Sequence, residues 1–437
     1  MSSSAHPGSL TRRRVCRVLM LTLLATAFFS AGCDRRPDAP RTRIARAAYV
    51  EDLDRYTPVP IGNSFDGKPW LSHVAIVDLD QDGRQDVLAC DDKLLSVVWV
   101  RQTAPGVFEE STVAAAVPGA VHVEAIDMDG DKDLDLLIAC MGEVFPNNDK
   151  IGSVVLMEND GHQQFTKHVL VENIARVTDV RAGDFNRDGR LDLAVGQFGY
   201  DQGEIRWMEN MGNWQFKSRI LLSLSGTIHV CVDDFNGDGT QDIAALVSQQ
   251  WEEIYLFEND GRGNFTNKII FGSTNEDYGS SGMSLCDLNR DGRPDLLYTN
   301  GDGFAYADPG ERPWHGVQWL ENRGSGFFKF HRIANMAGAY SPVGVDLDRD
   351  GDMDIVCTSG FNDWTKPKAV SVVAFINDGR MNFTPHVLAY QPIQLIACDA
   401  KDMDGSGAPS IVTVGFYSYP PFDNMSRITL WRPKQKP

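Results

Sequence analysis

The sequence is short of basic residues. Its 437 residues carry 41 Lys and Arg against 60 Asp and Glu, a formal charge of −19. That balance argues against nucleic acid as a partner, which calls for basic patches. Long apolar runs are lacking after residue 29, so nothing beyond the extreme N-terminus reads as a membrane span. None of the eight Cys forms a Cys-x-x-Cys pair, so a zinc site is not indicated. No nucleophile elbow, phosphate loop or His-Glu-x-x-His motif occurs. Asp66-Gly67-Lys68-Pro69-Trp70 stands once rather than per repeat, which excludes a quinoprotein-type blade motif. What is present is 42 % hydrophobic residues, enough for a packed core, with 40 Gly and 21 Pro that imply many turns.

Arg12, Arg13, Arg14 and Arg17 precede an apolar run from Val18 to Phe29, followed by Ser30-Ala31-Gly32-Cys33. A basic stretch, a short apolar stretch and small residues mark an export signal. Cys33 after Ala-Gly resembles a bacterial lipobox, in which the Cys becomes the lipidated N-terminus; Ser30 stands where Leu is usual, and plain cleavage is the alternative. Thr11 to Val15 loosely resembles a twin-arginine signal, and an ordinary basic stretch explains it equally. Residues 1–32 therefore read as a signal peptide, 33–52 as a linker and 53–437 as the folded domain. The mature protein is expected in the bacterial cell envelope, touching membrane only through a lipid on Cys33. Cys90, Cys140, Cys231, Cys286, Cys357 and Cys398 lie in strand-like apolar runs and read as buried small hydrophobes, with disulfides left open.

A repeat of about 50 residues dominates the rest. Its core is a nine-residue loop with acids or amides at positions 1, 3, 5 and 9. The six intact copies present Asp78, Asp80, Asp82 and Asp86; Asp127, Asp129, Asp131 and Asp135; Asp184, Asn186, Asp188 and Asp192; Asp234, Asn236, Asp238 and Asp242; Asp287, Asn289, Asp291 and Asp295; and Asp346, Asp348, Asp350 and Asp354. A seventh, from Asp402, has Ser406 and Ser410 at positions 5 and 9. First positions are 49, 57, 50, 53, 59 and 56 residues apart. A second tag runs in step: Asn159, Asn210, Asn259, Asn322 and Asn377 each precede a Phe by six residues, as Gln102 precedes Phe108. Asn with Gly two residues on, between apolar runs, signals a hairpin.

Each repeat then reads as four strands. A leads into the Asp loop, B leaves it, C leads to the Asn tag and D starts at the Phe. Four strands per repeat and seven loops predict an all-β, seven-bladed β-propeller. The chain ends at Ile428 to Pro433, a strand C with no D after it. Tyr56-Thr-Pro-Val-Pro-Ile61 mirrors Phe383-Thr-Pro-His-Val-Leu388, so residues 56–61 are expected to supply the missing strand D and clasp the ring. An open solenoid is the alternative.

Positions 1, 3, 5 and 9 gather hard oxygens around a tight turn, with a backbone carbonyl at 7, which suits Ca²⁺. An EF-hand would need Glu at position 12 and flanking helices, whereas strand-like sequence follows here. Asp, Asn and Gly are also ordinary turn residues, but six loops in register point to calcium. Lys132 in place of Gly weakens the second site, and the seventh is expected empty or weak. These loops resemble the FG-GAP/VCBS repeat family over about residues 53–437. That resemblance implies an integrin-α-like propeller with about six structural Ca²⁺ ions at its base. Such propellers serve as adhesins, lectins and occasional polysaccharide lyases, so it leaves the activity open. Cleavage before Cys33 would leave 37 basic against 60 acidic residues; the loops hold 25 of those acids, and six ions would bring −23 to about −11.

The B-to-C loops carry Phe145; Phe198 and Tyr200; Phe304, Tyr306 and Trp314; Phe361 and Trp364; and Phe416, Tyr417, Tyr419 and Phe422. Either they bind a protein or glycan partner, Trp314 and Trp364 foremost, or they fold back over the propeller. On strand A, His73, His122, Asp179 and His229 share one repeat position, with Glu124 and Arg181 two residues later. Period 2 turns them toward the channel, where they could hold a metal or an anion or merely pair with one another. The expected function is partner binding by a monomeric propeller. A lyase-like enzyme using the channel His, Glu and Arg, or a purely structural envelope module, are the alternatives.

Overall fold

The computed structural model describes residues 48–249, 251–304 and 309–434, and the expectations about the signal peptide, Cys33 and Tyr306 lie outside them. Every regular element among the described residues is a β-strand. The strands form seven sheets, the blades of a seven-bladed propeller. In each, strand A is innermost: Leu71–Val77, Ala120–Ile126, Val177–Gly183, Thr227–Asp233, Ser280–Cys286, Ala339–Val345 and Leu395–Lys401. Each strand A touches the next, and the seventh meets the first, so the ring is closed.

Strand B is buried along its whole length in every blade, from Asp86–Asp91 to Ser410–Gly415. Its continuous apolar run follows from neighbours on both faces. The hydrophobic core is accordingly seven clusters rather than one, each drawn from two consecutive blades. The cluster joining Val412, Val414 and Leu430 to Leu71, Val87 and Val98 seals blade 7 against blade 1. Each contact removes apolar side chains from water on both partners, so no blade is complete without its neighbours.

The periodic tags are hairpin registers. The six-residue interval spans the first cross-strand pair of the C–D hairpin: Asn159 pairs with Phe165, Asn210 with Phe216, Asn259 with Phe265, Asn322 with Phe328, Asn377 with Phe383 and Gln102 with Phe108. The Asn side chain also ties blades together. Asn259 Nδ2 donates to Gln241 O in its own blade (3.0 Å) and to Phe185 O in the blade before (2.8 Å). Asn322 repeats this with Pro294 O (3.1 Å) and Phe235 O (2.9 Å), and Gln102 does so with Gln85 O (2.9 Å) and Met403 O (3.1 Å).

Tyr56–Pro60 pairs antiparallel with Ile428–Pro433 as the outer strand of blade 7, the expected clasp. Tyr56 is buried, and its hydroxyl donates to Pro409 O at 3.2 Å. The chain just before the clasp is also bound. Val50–Glu51, expected as linker, pairs in parallel with strand D of blade 6 (Phe383–Ala389) as a fifth strand. Tyr390 Oη donates to Glu51 at 2.9 Å, and Asp52 faces His386 at 3.2 Å.

Candidate metal loops, binding face and axial cluster

Each Asp loop closes an A–B hairpin, with position 9 paired to the residue before position 1, as Asp192 pairs with Gly183. Position 1 holds the turn by accepting backbone N–H bonds. Asp184 accepts from Asp188 (3.1 Å) and Gly189 (3.0 Å), and Asp78 from Asp82 (3.0 Å) and Gly83 (2.9 Å). Position 6 needs positive φ: Gly83, Gly189, Gly239, Gly292, Gly351 and Gly407 lie between +78° and +99°. Lys132 adopts +83° in the same place, so the second loop keeps the turn at the expense of a strained residue.

Carboxylate oxygens of Asp78, Asp80 and Asp86 lie within 4.8 Å of one another, as do those of Asp127, Asp129 and Asp131, and of Asp346, Asp348 and Asp354. One oxygen of Asp348 is buried without a hydrogen-bond partner among the described residues. An all-oxygen donor set with an unpaired buried carboxylate oxygen fits a hard cation. The seventh loop, with Ser at positions 5 and 9, keeps the position-1 bonds: Asp402 accepts from Gly407 at 2.7 Å.

Position 9 does more than face the loop. Asp135 accepts from Asn159 N (2.8 Å) and Met128 N (3.0 Å), and Asp192 from Asn210 N (2.7 Å) and Trp207 Nε1 (3.0 Å). The carboxylate thus pins the Asp loop to the Asn tag. Burial, only partly offset by these bonds, pushes Asp86, Asp135, Asp192, Asp295 and Asp354 up to about 6 and Asp242 to about 7.

On the opposite face, several aromatics fold back onto one another. Rings follow in a row: Phe416 to Trp70 at 5.6 Å, Trp70 to Phe145 at 5.3 Å, Phe145 to Phe304 at 5.7 Å, Phe304 to Phe361 at 6.0 Å, and Phe361 to Tyr419 at 5.2 Å. The row joins blade 2 to blade 5, which are not neighbours in the ring, so it crosses over the axis. Arg176, buried, fixes Phe145 by donating to Phe145 O at 2.8 Å. Trp314 and Trp364, the foremost expected ligand contacts, are half-buried: Trp314 Nε1 donates to Asp277 O at 2.8 Å, and Trp364 sits beside Tyr419.

What the B-to-C loops expose is a different set. Leu94, Leu95, Ile151, Tyr200, Trp251 and Met425, from five blades, are 37–50 % exposed. Of these only Tyr200 belonged to the expected aromatic set. Trp251 sits in a short loop with no motif, and its one signal was an apolar residue where a polar one would suffice.

The axial residues do come together. Asp179, fully buried, lies 3.2 Å from His122 Nδ1, 3.4 Å from His229 Nδ1 and 3.3 Å from Arg181 Nε. It also accepts from Val230 N at 3.0 Å. The His73 and His122 rings are 4.5 Å apart, and Arg181 lies 3.9 Å from Glu124. Burial, reinforced by the Arg181 charge, pushes His73 down to about 3 and His122 well below its ordinary range. Burial alone would raise Asp179, but the Arg181 guanidinium and the hydrogen bond from His229 outweigh it and hold the carboxyl low. The cluster joins blades 1 to 4, with His122 and Asp179 buried and His73, Glu124, Arg181 and His229 half-buried around them. Asp399, at the Glu124 position of blade 7, extends it to the ring seam by accepting from Ile76 N at 2.8 Å.

The sequence profile of FG-GAP-like repeats matches residues 78–138, 142–195, 189–245 and 234–298. No curated protein matches the sequence. Solved structures that share the fold include two of one complex. BBS1N in complex with ARL6DN, soaked with lead, is 10 % identical at a TM-score of 0.52, over 90 % of this chain and 99 % of that one. The same complex soaked with mercury is 10 % identical at 0.53, over 85 % and 94 %.

Proposed function

Because the chain belongs to the FG-GAP-like repeat family, we propose that it is an exported, calcium-stabilised propeller that holds a protein partner on its B-to-C face. The observation that carries this is the ring of exposed apolar side chains on that face, Leu94, Leu95, Ile151, Tyr200, Trp251 and Met425. Loops on a rigid scaffold present such residues at low entropic cost, and exposed aromatics are the usual anchors of an interface. The aromatic row beneath ties down two of the loops that present them, those of Ile151 and Met425. BBS1N, on the same fold, is found in complex with ARL6DN, which accords with a protein as the class of ligand. Export and a lipid on Cys33 would place this face in the cell envelope. Calcium in the Asp loops of the opposite face has a scaffolding role, for which the acid-rich, all-oxygen loops speak.

The test is crosslinking in envelope extracts with wild type, with Tyr200→Ser/Trp251→Ser, and with Phe327→Ser on the blade 5 perimeter. A partner lost only with the Tyr200/Trp251 variant is expected. Equal capture by all three would refute the assignment of the face. A glycan array run on the same proteins reports separately whether those aromatics take sugar instead.

A further inference from the structure

The seven loops differ at position 7, and the difference recurs with one geometry. In loops 1, 3 and 5 an arginine stands there. Arg84 Nε donates to Gln102 O (2.7 Å), Arg190 Nε to Asn210 O (2.9 Å) and Arg293 Nε to Asn322 O (2.8 Å). In each case an Nη of the same guanidinium pairs with the position-5 carboxylate of its own loop, Asp82, Asp188 or Asp291. Loop 4 makes the neutral version: Thr240 Oγ1 donates to Asn259 O (2.9 Å) and to Asp238 (2.5 Å). Loops 2 and 6 carry an acid instead, Asp133 and Asp352, whose backbone amides reach the position-5 carboxylates of Asp131 (3.0 Å) and Asp350 (2.9 Å).

The charge of the nine-residue loops follows. Loops 2 and 6 have five acids and one base each, −4; loops 1 and 4 stand at −3; loops 3 and 5, with three acids and two arginines, at −1. An oxygen-ligand site takes its affinity from its charge count and its rigidity. A guanidinium on a ligand carboxylate both withdraws that charge and repels the ion, whereas a fifth acid adds attraction. One oxygen of Asp133 is buried and without a hydrogen-bond partner among the described residues, as expected of a group left for a cation.

Resting on the calcium reading above, we propose that position 7 tunes cation affinity within each loop's charge: Asp133 and Asp352 make loops 2 and 6 the tight pair, whereas Arg190 and Arg293, added to Asn at position 3 and a second arginine at position 4, make loops 3 and 5 the weak pair, and Arg84 leaves loop 1, with its fourth acid, between them. The strained Lys132 lowers loop 2 relative to loop 6 without moving it out of its class.

Calcium titration of the full chain by calorimetry, with bound calcium counted by equilibrium dialysis, tests this. Wild type should show two sites at least about tenfold tighter than the rest. Asp133→Asn/Asp352→Asn should abolish the tight class. Arg190→Gln/Arg293→Gln, which leaves both tight loops intact, should raise the affinity of two weak sites. The spread should shrink at high salt, because the Arg190 and Arg293 side chains are 48 % and 41 % exposed. Six equivalent sites in wild type, or a tight class that survives Asp133→Asn/Asp352→Asn, would overturn the role of position 7 and leave calcium binding standing. Absence of any bound calcium would overturn both.

Discussion

Replacing Arg427 with Met should open the ring where its ends meet. Arg427 precedes the last strand C, and its guanidinium reaches into blade 1. Nε lies 3.1 Å from Asp91, and the two Nη atoms lie 2.6 and 3.0 Å from Glu110. The three side chains are 7 %, 1 % and 5 % exposed. Removing the cation strands two buried carboxylates, and breaking a buried pair by deleting one partner costs about 3–5 kcal/mol. The two acids are not equally stranded. Asp91 keeps the Lys93 and Leu94 amides at 3.0 and 3.1 Å, while Glu110 keeps only Asn63 N at 2.7 Å. Adding Glu110→Gln to Arg427→Met should therefore recover about 1–2 kcal/mol, a coupling that independent sites would not show. Lys434 pairs with Asp54 at 3.0 Å on the same seam, but both are exposed, so Lys434→Met should leave stability unchanged. Urea unfolding in saturating calcium measures all four proteins. Hydrogen exchange should show the Ile428–Pro433 and Tyr56–Pro60 pairing opening first in Arg427→Met. A loss below 1 kcal/mol, or a double variant worse than the single, would refute the reasoning.

Three further outcomes follow from the loops and from one buried acid. Lys132→Gly should stabilise by about 1 kcal/mol, because an L-residue at φ +83° costs roughly 1–2 kcal/mol and the added chain freedom of Gly returns part of it; a lower urea midpoint would contradict this. Chelation should lower the melting temperature and re-addition restore it, since each site held at a hundred times its Kd contributes about 2.7 kcal/mol; an unchanged melting curve with no calcium by elemental analysis would refute the metal. Glu252 is buried, accepts from Gly279 N (3.1 Å) and Ser280 N (2.9 Å), and is pushed up to about 7 chiefly by burial. An acid raised on folding binds more protons folded than unfolded, so its share of stability, on the order of 2–3 kcal/mol, is present below about pH 4.5 and lost as pH rises through 7. Glu252→Gln should flatten that slope between pH 5 and 8, and an identical slope in the variant would sink the assignment.

The propeller was legible because its registers are local. Position 9 of each loop pairs with the residue before position 1, and each tag pairs with the Phe six residues on, so two hairpins per blade are written within short spans. The clasp was legible because Tyr56 to Pro60 copies a strand D found elsewhere in the chain. Val50–Glu51 copies nothing, and two residues pairing in parallel leave no periodicity to read. The axial cluster was legible from period 2 on the innermost strands, but its internal pairing was not, because that depends on how closely His122, Arg181 and His229 crowd one carboxylate. The aromatic row was open to either reading. Phe145 meets Phe304 across the face from another blade, and Arg176, distant in sequence from both, holds its backbone carbonyl, so neither contact is written in the local sequence.

The conserved-looking loop pattern mixes two causes, and the seventh loop separates them. It keeps Asp402 and Gly407 and with them the turn, so positions 1 and 6 are accounted for by backbone geometry alone. Position 9 is Ser410 there, in the one blade whose strand D comes from the N-terminus and which therefore has no C–D hairpin or tag to pin. In blades 1 to 6 that position is Asp and accepts the N–H of the tag residue. Its repetition is thus explained by the hairpin, whether or not it also touches an ion. Positions 3 and 5 also accept loop N–H groups, as Asn186 does from Asp188 N (3.0 Å) and Asp188 from Arg190 N (2.9 Å), but that explains an oxygen there and not an acid. The turn does not need their charge, since Asn serves at position 3 in three loops and Ser406 at position 5 in the seventh. Yet each intact loop keeps a carboxylate at position 5 against the repulsion of its neighbours. The case for a cation therefore rests on positions 3 and 5 rather than on the full motif, and it is strongest in loops 2 and 6, where no arginine offsets the acid at position 5.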